Sequence, residues 1–189
     1  PGGGTTSACV GAMGAALAAM AANLSIGKKG FEERTSELES IALKAQELKT
    51  ELLGRADEDS DAFNGILQAL RLPKRSEEET TLRGLAIQEA TKRASLVPLG
   101  SARACLGAMR LCLKAVERGK ASSATDAAVG FLAAKAGLEG ALLNVKINLE
   151  GIKDGDFTGA VKKEIEALST QASADEREYR ALLSKTLGF

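Results

Sequence analysis

Apolar residues recur every three or four positions over most of the chain, a spacing that predicts helices. Turn-forming or charged residues interrupt the pattern at residues 23–30, 72–75, 119–122 and 153–155. The predicted helices are one of about 18 residues after residues 1–7, then helices at about 32–70, 76–118, 123–152 and 157–187. No alternating strand pattern of useful length occurs in the sequence. The sequence therefore predicts an all-α fold, a bundle of about five long helices, with residues 1–189 forming one domain.

The predicted helix at residues 123–152 has two unlike faces. Small and polar residues share one face: Asp126, Gly130, Ala133, Gly137, Gly140, Asn144 and Asn148. Larger apolar residues share the other: Val129, Leu132, Leu138, Leu142, Leu143 and Val145. A glycine inside a helix costs about 1 kcal/mol relative to alanine. Three glycines on one face therefore indicate either close packing of another helix or room for a flat ligand, and both can hold at once.

Residues 1–7, PGGGTTS, are predicted to be a flexible loop that leads into the first helix. Such a loop can direct backbone N–H groups and the positive end of a helix toward an anion or a carbonyl. It is not a phosphate-binding P-loop, because no Gly-Lys-Ser/Thr follows. Lys28 and Lys29 lie in a second short turn, which is either a solvated connection or a clamp for a carboxylate-bearing tail. The chain opens on Pro1 without a Met, which indicates that a short leading segment is missing.

Asp59 interrupts the apolar stripe of the second helix, in the gap between Ala56 and Phe63. A carboxylate on a core-facing stripe is costly to bury unless it forms an ion pair or has a role in a functional site. Asp59 is therefore a candidate site residue, with an ion pair to a neighbouring helix as the alternative. Asp126 is a second candidate, because it falls in the first turn of its helix, where the helix dipole favours an anion.

The third helix carries a start signal and an interruption. Ser76 and Glu79 form a capping box at its beginning. Pro98 interrupts its apolar stripe, so a kink or a break is expected there. Cys105 and Cys112 lie two turns apart, which suits packing and prevents them from pairing with each other.

The composition narrows the function classes. The net charge is zero, from 25 basic and 25 acidic residues, so no global field attracts nucleic acid or an anionic membrane. The absence of histidine excludes an imidazole base and any zinc site with His ligands. Three cysteines without a CxxC pair indicate a reduced, cytoplasmic chain. The one candidate for a membrane span, the Ala-rich run at residues 8–22, is shorter than the required length of about 20 residues.

Several short segments together resemble the cyclodeaminase/cyclohydrolase family of folate enzymes. They are PGGGTTS at 1–7, IGKKG at 26–30, DEDSDAF at 57–63, LPK at 72–74, VPL at 97–99, TDAAV at 125–129 and LLNVKINL at 142–149. They occur in the order and spacing of the family. Thr5 and Thr125 stand where the family often has Ser, and each keeps a hydroxyl. The short helix that usually precedes the PGGG segment is absent from this sequence.

The resemblance implies a helical homodimer that binds tetrahydrofolate, with no metal and no other cofactor. It implies hydrolysis of 5,10-methenyltetrahydrofolate to 10-formyltetrahydrofolate, in which water adds to a cationic amidinium carbon and one C–N bond breaks. A carboxylate near that carbon can stabilise the cation and accept a proton from water, so Asp126 and Asp59 are the candidate catalytic groups. The candidate substrate-binding residues are Gly3, Gly4, Thr5, Asn144 and Asn148 for the pterin, Lys28 and Lys29 for the glutamate carboxylates, and Thr125.

Asp126 and Asn144 lie about 27 Å apart along one helix. They must therefore serve opposite ends of an extended ligand, or one of them is structural.

Two alternative functions remain open. Cyclodeamination expels ammonia from formiminotetrahydrofolate while N10 closes on the same carbon, so one site could catalyse either reaction. We favour hydrolysis because the sequence holds no formiminotransferase domain to deliver the formimino substrate. The second alternative is a non-catalytic helical dimerisation module, in which Asp59 and Asp126 are surface or ion-pair residues.

Overall fold

A computed structural model describes residues 2–188 of the chain. Its helices are α1 (Gly3–Asn23), α2 (Thr35–Leu70), α3 (Glu77–Arg118), α4 (Ala124–Leu149) and α5 (Gly155–Leu187), and single 3₁₀ turns at Glu32–Arg34 and Ala121–Ser123 precede α2 and α4. No strand occurs in residues 2–188. The predicted all-α bundle of five long helices is thereby confirmed.

The glycine-rich start of the chain is helical. α1 begins at Gly3, so the predicted flexible loop over residues 1–7 is wrong from that residue onward, and Pro1 lies outside the described residues. The reason is tertiary packing. The side chains of Asp59 and Asn144 lie against the first turn of α1, and this packing overrides the low helix propensity of glycine.

The third helix runs without a break through Pro98. Of the kink or break expected at Pro98, the break is therefore wrong, whereas the start of the helix was predicted correctly. The Glu79 N–H donates to Oγ of Ser76 at 3.1 Å. The Glu79 carboxylate accepts from the N–H of Arg75 at 2.6 Å rather than from that of Ser76, so the capping box is shifted by one residue.

The glycine face of α4 packs directly against α1. The two helices are antiparallel, with Gly14 beside Gly130 and Ser7 beside Gly137. A Cβ added at Gly14 would lie 2.6 Å from the Gly130 carbonyl oxygen, which is closer than real Cβ contacts allow. Close helix packing therefore accounts for these glycines, and only the far end of this face borders a cavity.

The predicted apolar face of α4 is divided between core and solvent. Leu138, Leu142 and Val145 are buried as expected. Val129, Leu132 and Leu143 are 56%, 51% and 65% exposed. Both sides of this helix are rich in apolar residues, so hydrophobicity alone does not determine which side faces the core.

The last helix covers one side of the bundle with a stripe of residues spaced three, four or seven positions apart. The stripe consists of Val161, Ile165, Leu168, Ala172 and Tyr179, which are all buried. Tyr179 stacks on Phe131 of α4 with ring centroids 4.1 Å apart, and its hydroxyl donates to the Ala128 carbonyl at 3.2 Å. Arg110 of α3 donates to the Asp175 carboxylate at 2.8 Å. None of these residues lines the cavity described below.

Three helices are long and apolar enough to cross a membrane by length and composition: α1, α3 and the stretch Ala121–Leu149. Between 50% and 78% of each apolar window is buried inside the bundle. The prediction that the Ala-rich run is the one candidate for a membrane span is therefore wrong. Packing in the core explains much of the hydropathy of all three helices.

Candidate functional site

A cavity of about 460 Å³ lies where the first turn of α1 meets α2, α3 and the last turns of α4. Its walls are residues 2–5 of α1 and its N-cap, the part of α2 between Asp59 and Ile66, Ala94 of α3, and Asn144 and Asn148 of α4. This volume falls within the usual range of small-molecule sites, about 300–1,000 Å³.

Asp59 is held against the N-terminus of α1. Thr5 Oγ1 donates a hydrogen bond of 2.9 Å to Asp59 Oδ2. Gly4 lies beneath the same carboxylate, and a Cβ at position 4 would overlap it. The start of α1 carries a partial positive charge, which attracts the carboxylate that lies against it. The glycines thus allow an anion to lie directly on the first turn of a helix.

The two asparagines of α4 donate to backbone carbonyls. Asn144 Nδ2 donates to the Gly140 carbonyl at 2.8 Å, within its own helix. Asn148 Nδ2 donates to the Ala94 carbonyl of α3, also at 2.8 Å. Neither Oδ1 atom accepts a hydrogen bond from a residue that the structure describes. Each side chain therefore keeps an unused acceptor at the wall of the cavity.

The polar groups that line the cavity are mainly hydrogen-bond acceptors. Among the described residues that line it, Asp59 carries the one charged side chain, and no Lys or Arg is present. A carboxylate together with two amide oxygens suits a ligand that carries positive charge and N–H donors.

Sequence reasoning missed part of the α2 wall. Ser60, Phe63, Asn64 and Ile66 line the cavity, and Phe63, which was assigned to the core stripe, is 59% exposed. The spacing of Phe63 and Ile66 from Asp59 gave a usable signal, because residues four and seven positions along a helix share its face. Ser60 and Asn64 follow Asp59 by one and five positions and gave no such signal.

The predicted site residues form two groups. Gly3, Gly4, Thr5, Asp59, Asn144 and Asn148 meet at the cavity. Lys28, Lys29, Thr125 and Asp126 do not line it. They belong to the opposite end of the α1–α4 pair, where the N–H of Lys120 donates to Oγ of Ser25 at 2.8 Å. Whether any residue of either group contacts substrate stays a prediction.

The two buried cysteines, Cys105 and Cys112, are poor nucleophiles. Burial raises the pKa of the Cys105 and Cys112 thiols to about 12, so both stay protonated near neutral pH.

Within the described part of the chain, no three His, Cys, Asp or Glu side chains are grouped so as to hold a metal ion.

Comparisons with known proteins agree with this architecture. A methenyltetrahydrofolate cyclohydrolase from Methylorubrum extorquens is 41% identical over 186 residues, which cover 98% of this chain and 89% of that protein. The formimidoyltransferase-cyclodeaminase of Gallus gallus is 31% identical over 185 residues. That alignment covers 98% of this chain and 34% of the avian protein, so the chain spans about a third of its length.

A solved structure has the same fold. The crystal structure of a formiminotetrahydrofolate cyclodeaminase from Thermotoga maritima superimposes with a TM-score of 0.88 at 30% sequence identity, covering 99% of this chain and 89% of that one. The formiminotransferase-cyclodeaminase family profile matches residues 1–167. The resemblance seen in the sequence motifs is thereby confirmed, and this chain belongs to the formiminotransferase-cyclodeaminase family.

Proposed function

We propose that this protein hydrolyses 5,10-methenyltetrahydrofolate to 10-formyltetrahydrofolate. The observation that carries the proposal is the Asp59 carboxylate, which Thr5 holds at 2.9 Å in a cavity without a cationic side chain among its described lining residues. The substrate is an amidinium cation, and such a site attracts it. The relative named methenyltetrahydrofolate cyclohydrolase, 41% identical over nearly the whole chain, supports the same reaction.

The reaction needs a proton acceptor and a stabilised cation. Water forms a bond to the carbon between N5 and N10, and Asp59 accepts the proton that this water loses. The tetrahedral intermediate then collapses: its hydroxyl loses a proton as the formyl C=O forms, the C–N5 bond breaks, and N5 takes up one proton as it leaves. One proton is released overall, because the substrate is cationic and the 10-formyl product is not. We propose that these steps need no metal or organic cofactor and take place in the cytoplasm.

The test is steady hydrolysis of methenyltetrahydrofolate, followed by loss of its near-ultraviolet absorbance. Asp59→Asn should keep the fold and reduce turnover at least on the order of a hundredfold, the usual contribution of a general base. Asp57→Asn is the matched control, because Asp57 is exposed on the same helix and lies outside the cavity. Full activity in Asp59→Asn would remove Asp59 from the mechanism.

Cyclodeamination is the second candidate function. It is favoured by the likeness to the Thermotoga maritima cyclodeaminase, and it acts on the same carbon of the folate. Ammonia release from formiminotetrahydrofolate with a higher kcat/KM than hydrolysis of the methenyl compound would favour it over the cyclohydrolase.

We further propose that two copies of the chain pair through the outer faces of α1 and α4. Large apolar side chains point outward from these neighbouring helices: Met13, Met20, Val129, Leu132, Leu143 and Ile147, each between 39% and 65% exposed. Monomeric proteins rarely expose so continuous an apolar face. A twofold interface buries one patch against itself, which suits a surface made of two adjacent helices.

A twofold axis perpendicular to α4 would also unite the two groups of predicted residues. An axis near Ala136 lies midway between Asp126 and the Asn144–Asn148 pair, close to the centre of the apolar row. The partner subunit's Asp126 would then face Asn144 and Asn148, with the partner subunit's Lys28 and Lys29 beyond it. This arrangement would form a composite site in which all the predicted residues serve one extended folate.

Subunit complementation tests the composite site. Asp59→Asn and Asp126→Asn homodimers should each be nearly inactive. A one-to-one mixture that has exchanged subunits should recover about a quarter of wild-type activity, because half the dimers are mixed and each contains one intact site. No recovery in verified mixed dimers would show that the two carboxylates do not act in one shared site.

A further inference from the structure

Asn148 of α4 supplies a hydrogen bond that Pro98 of α3 cannot make. A proline inside a helix lacks the N–H that would donate to the carbonyl four residues earlier. For Pro98 that carbonyl belongs to Ala94, and the side chain of Asn148 donates to it at 2.8 Å. The helix continues through Pro98, which is fully buried. The hydrogen bond that the proline removes is thus replaced from another helix.

This replacement fixes the orientation of the Asn148 amide. Because Nδ2 is committed to the Ala94 carbonyl, Oδ1 is the end of the amide that remains free. Ala94 and Asn148 both line the cavity, so the exchange takes place in its wall. With an alanine at position 98, a backbone N–H would compete for the Ala94 carbonyl and weaken the anchor of the amide.

We propose that Pro98 is a positioning residue for substrate recognition. By leaving the Ala94 carbonyl open, it holds Asn148 with its acceptor oxygen toward the cavity, where it receives an N–H group of the pterin ring. This inference rests on the proposed function. It adds that Asn148 Oδ1 selects a ligand with an N–H donor at this position, and that Pro98 of α3 determines this preference by fixing the orientation of the amide.

Asn148 could instead be only a structural link between α3 and α4. Gln88 acts in this way nearby, donating to the Gly151 carbonyl at 2.9 Å and accepting from the Lys153 N–H at 2.7 Å. Three variants separate the two roles: Asn148→Ala, Pro98→Ala and the double variant. The structural role can be replaced by a backbone N–H at position 98, whereas the recognition role cannot.

Thermal unfolding reports the structural role. Asn148→Ala leaves the Ala94 carbonyl without a partner, and its melting temperature should fall by several degrees. Pro98→Ala in that background supplies the missing N–H and should restore most of the loss. Pro73→Ala is the control, because Pro73 is exposed in the connection between α2 and α3, and it should change neither stability nor activity. Failure of the double variant to regain stability would overturn the pairing.

Substrate affinity reports the recognition role. Asn148→Ala should raise KM on the order of tenfold, the value of one hydrogen bond. Pro98→Ala should raise it severalfold, and the side-chain amide resonances of Asn148 should shift while those of Asn144 stay in place. The double variant should keep the weak affinity of Asn148→Ala although its stability returns. Wild-type affinity in the double variant, or in Pro98→Ala, would overturn the proposal.

The two sets of measurements also separate this inference from the proposed function. If the wild-type protein processes no folate, the proposed function fails, and the recognition role of Asn148 fails with it. The unfolding experiment needs no substrate, so it still decides whether Pro98 and Asn148 are coupled.

Discussion

Gly4 lies so close to Asp59 that any side chain at position 4 would overlap the carboxylate. The contact joins the first turn of α1 to the middle of α2, two elements far apart in the sequence. It explains why an intrinsically poor helix former occupies a helical position at the cavity.

Gly4→Ala should displace Asp59 and reduce kcat/KM on the order of a hundredfold, because small displacements of a reacting group are costly. The protein should remain folded, since alanine favours a helix by about 1 kcal/mol over glycine. The measurement is kcat/KM together with thermal unfolding.

Gly54→Ala is the control for that substitution. Gly54 is exposed in α2, and a Cβ there would meet nothing within 4 Å. It should gain up to about 1 kcal/mol of stability and keep full activity. A fully active Gly4→Ala variant would contradict the importance of the close contact.

The hydrogen bond from Thr5 to Asp59 gives a second prediction. Thr5→Val removes the hydroxyl at nearly constant shape and should lower kcat on the order of tenfold, the equivalent of one lost hydrogen bond. Thr5→Ser keeps the hydroxyl and should stay near wild type. Equal activity of the Val and Ser variants would mean that the hydroxyl does not position the carboxylate.

Thiol labelling tests the packing of the core. Burial raises the pKa of Cys105 and Cys112 to about 12, so neither forms appreciable thiolate at mildly alkaline pH. Cys9 is only half-buried. A thiol reagent should therefore modify no more than one cysteine in the native protein and all three after unfolding. Rapid modification of Cys105 or Cys112 in the native state, identified by peptide mapping, would contradict the buried positions.

Asp154 gives a prediction about pH. Its pKa is lowered from the ordinary value of 3.8, first by the N–H of Phe157 and then by Lys92. A lowered carboxyl pKa stabilises the fold above the unfolded pKa, and that stabilisation disappears as the pH falls through the folded pKa.

Asp154 is the N-cap of α5, and its side chain accepts from the N–H of Phe157. Asp154→Asn isolates the charge, because asparagine also caps helices well. Urea unfolding should show the variant less stable than wild type at about pH 7 and equal to it at about pH 2. A difference that persists unchanged in acid would assign the effect to capping geometry rather than charge.

The features that sequence predicted were those with local causes. The position of α5 in the chain and the cap at Ser76 depend on residues a few positions apart, so periodicity and capping rules identified them. Asp59 was identified because it interrupts an apolar stripe. The helical start at Gly3 was missed, since it depends on packing from distant side chains. The support of Ala94 by Asn148 was also missed, because the two residues lie 54 positions apart.

The outer face of α4 was misassigned for a different reason. Val129 and Leu143 are as apolar as the core residues of the same helix, so their sequence does not reveal that they face outward. Periodicity identifies an apolar surface without stating whether the same chain or another molecule covers it.

Because the backbones of α1 and α4 touch at Gly14 and Gly130, neither helix can roll or slide past the other without a steric clash. An incoming molecule therefore meets one stiff wall, made of these two helices. The α2 wall, around Phe63, is exposed to solvent. We therefore expect α2 to adjust more than α1 or α4 when a bulky folate enters, and slower amide hydrogen exchange on ligation should be concentrated in α2.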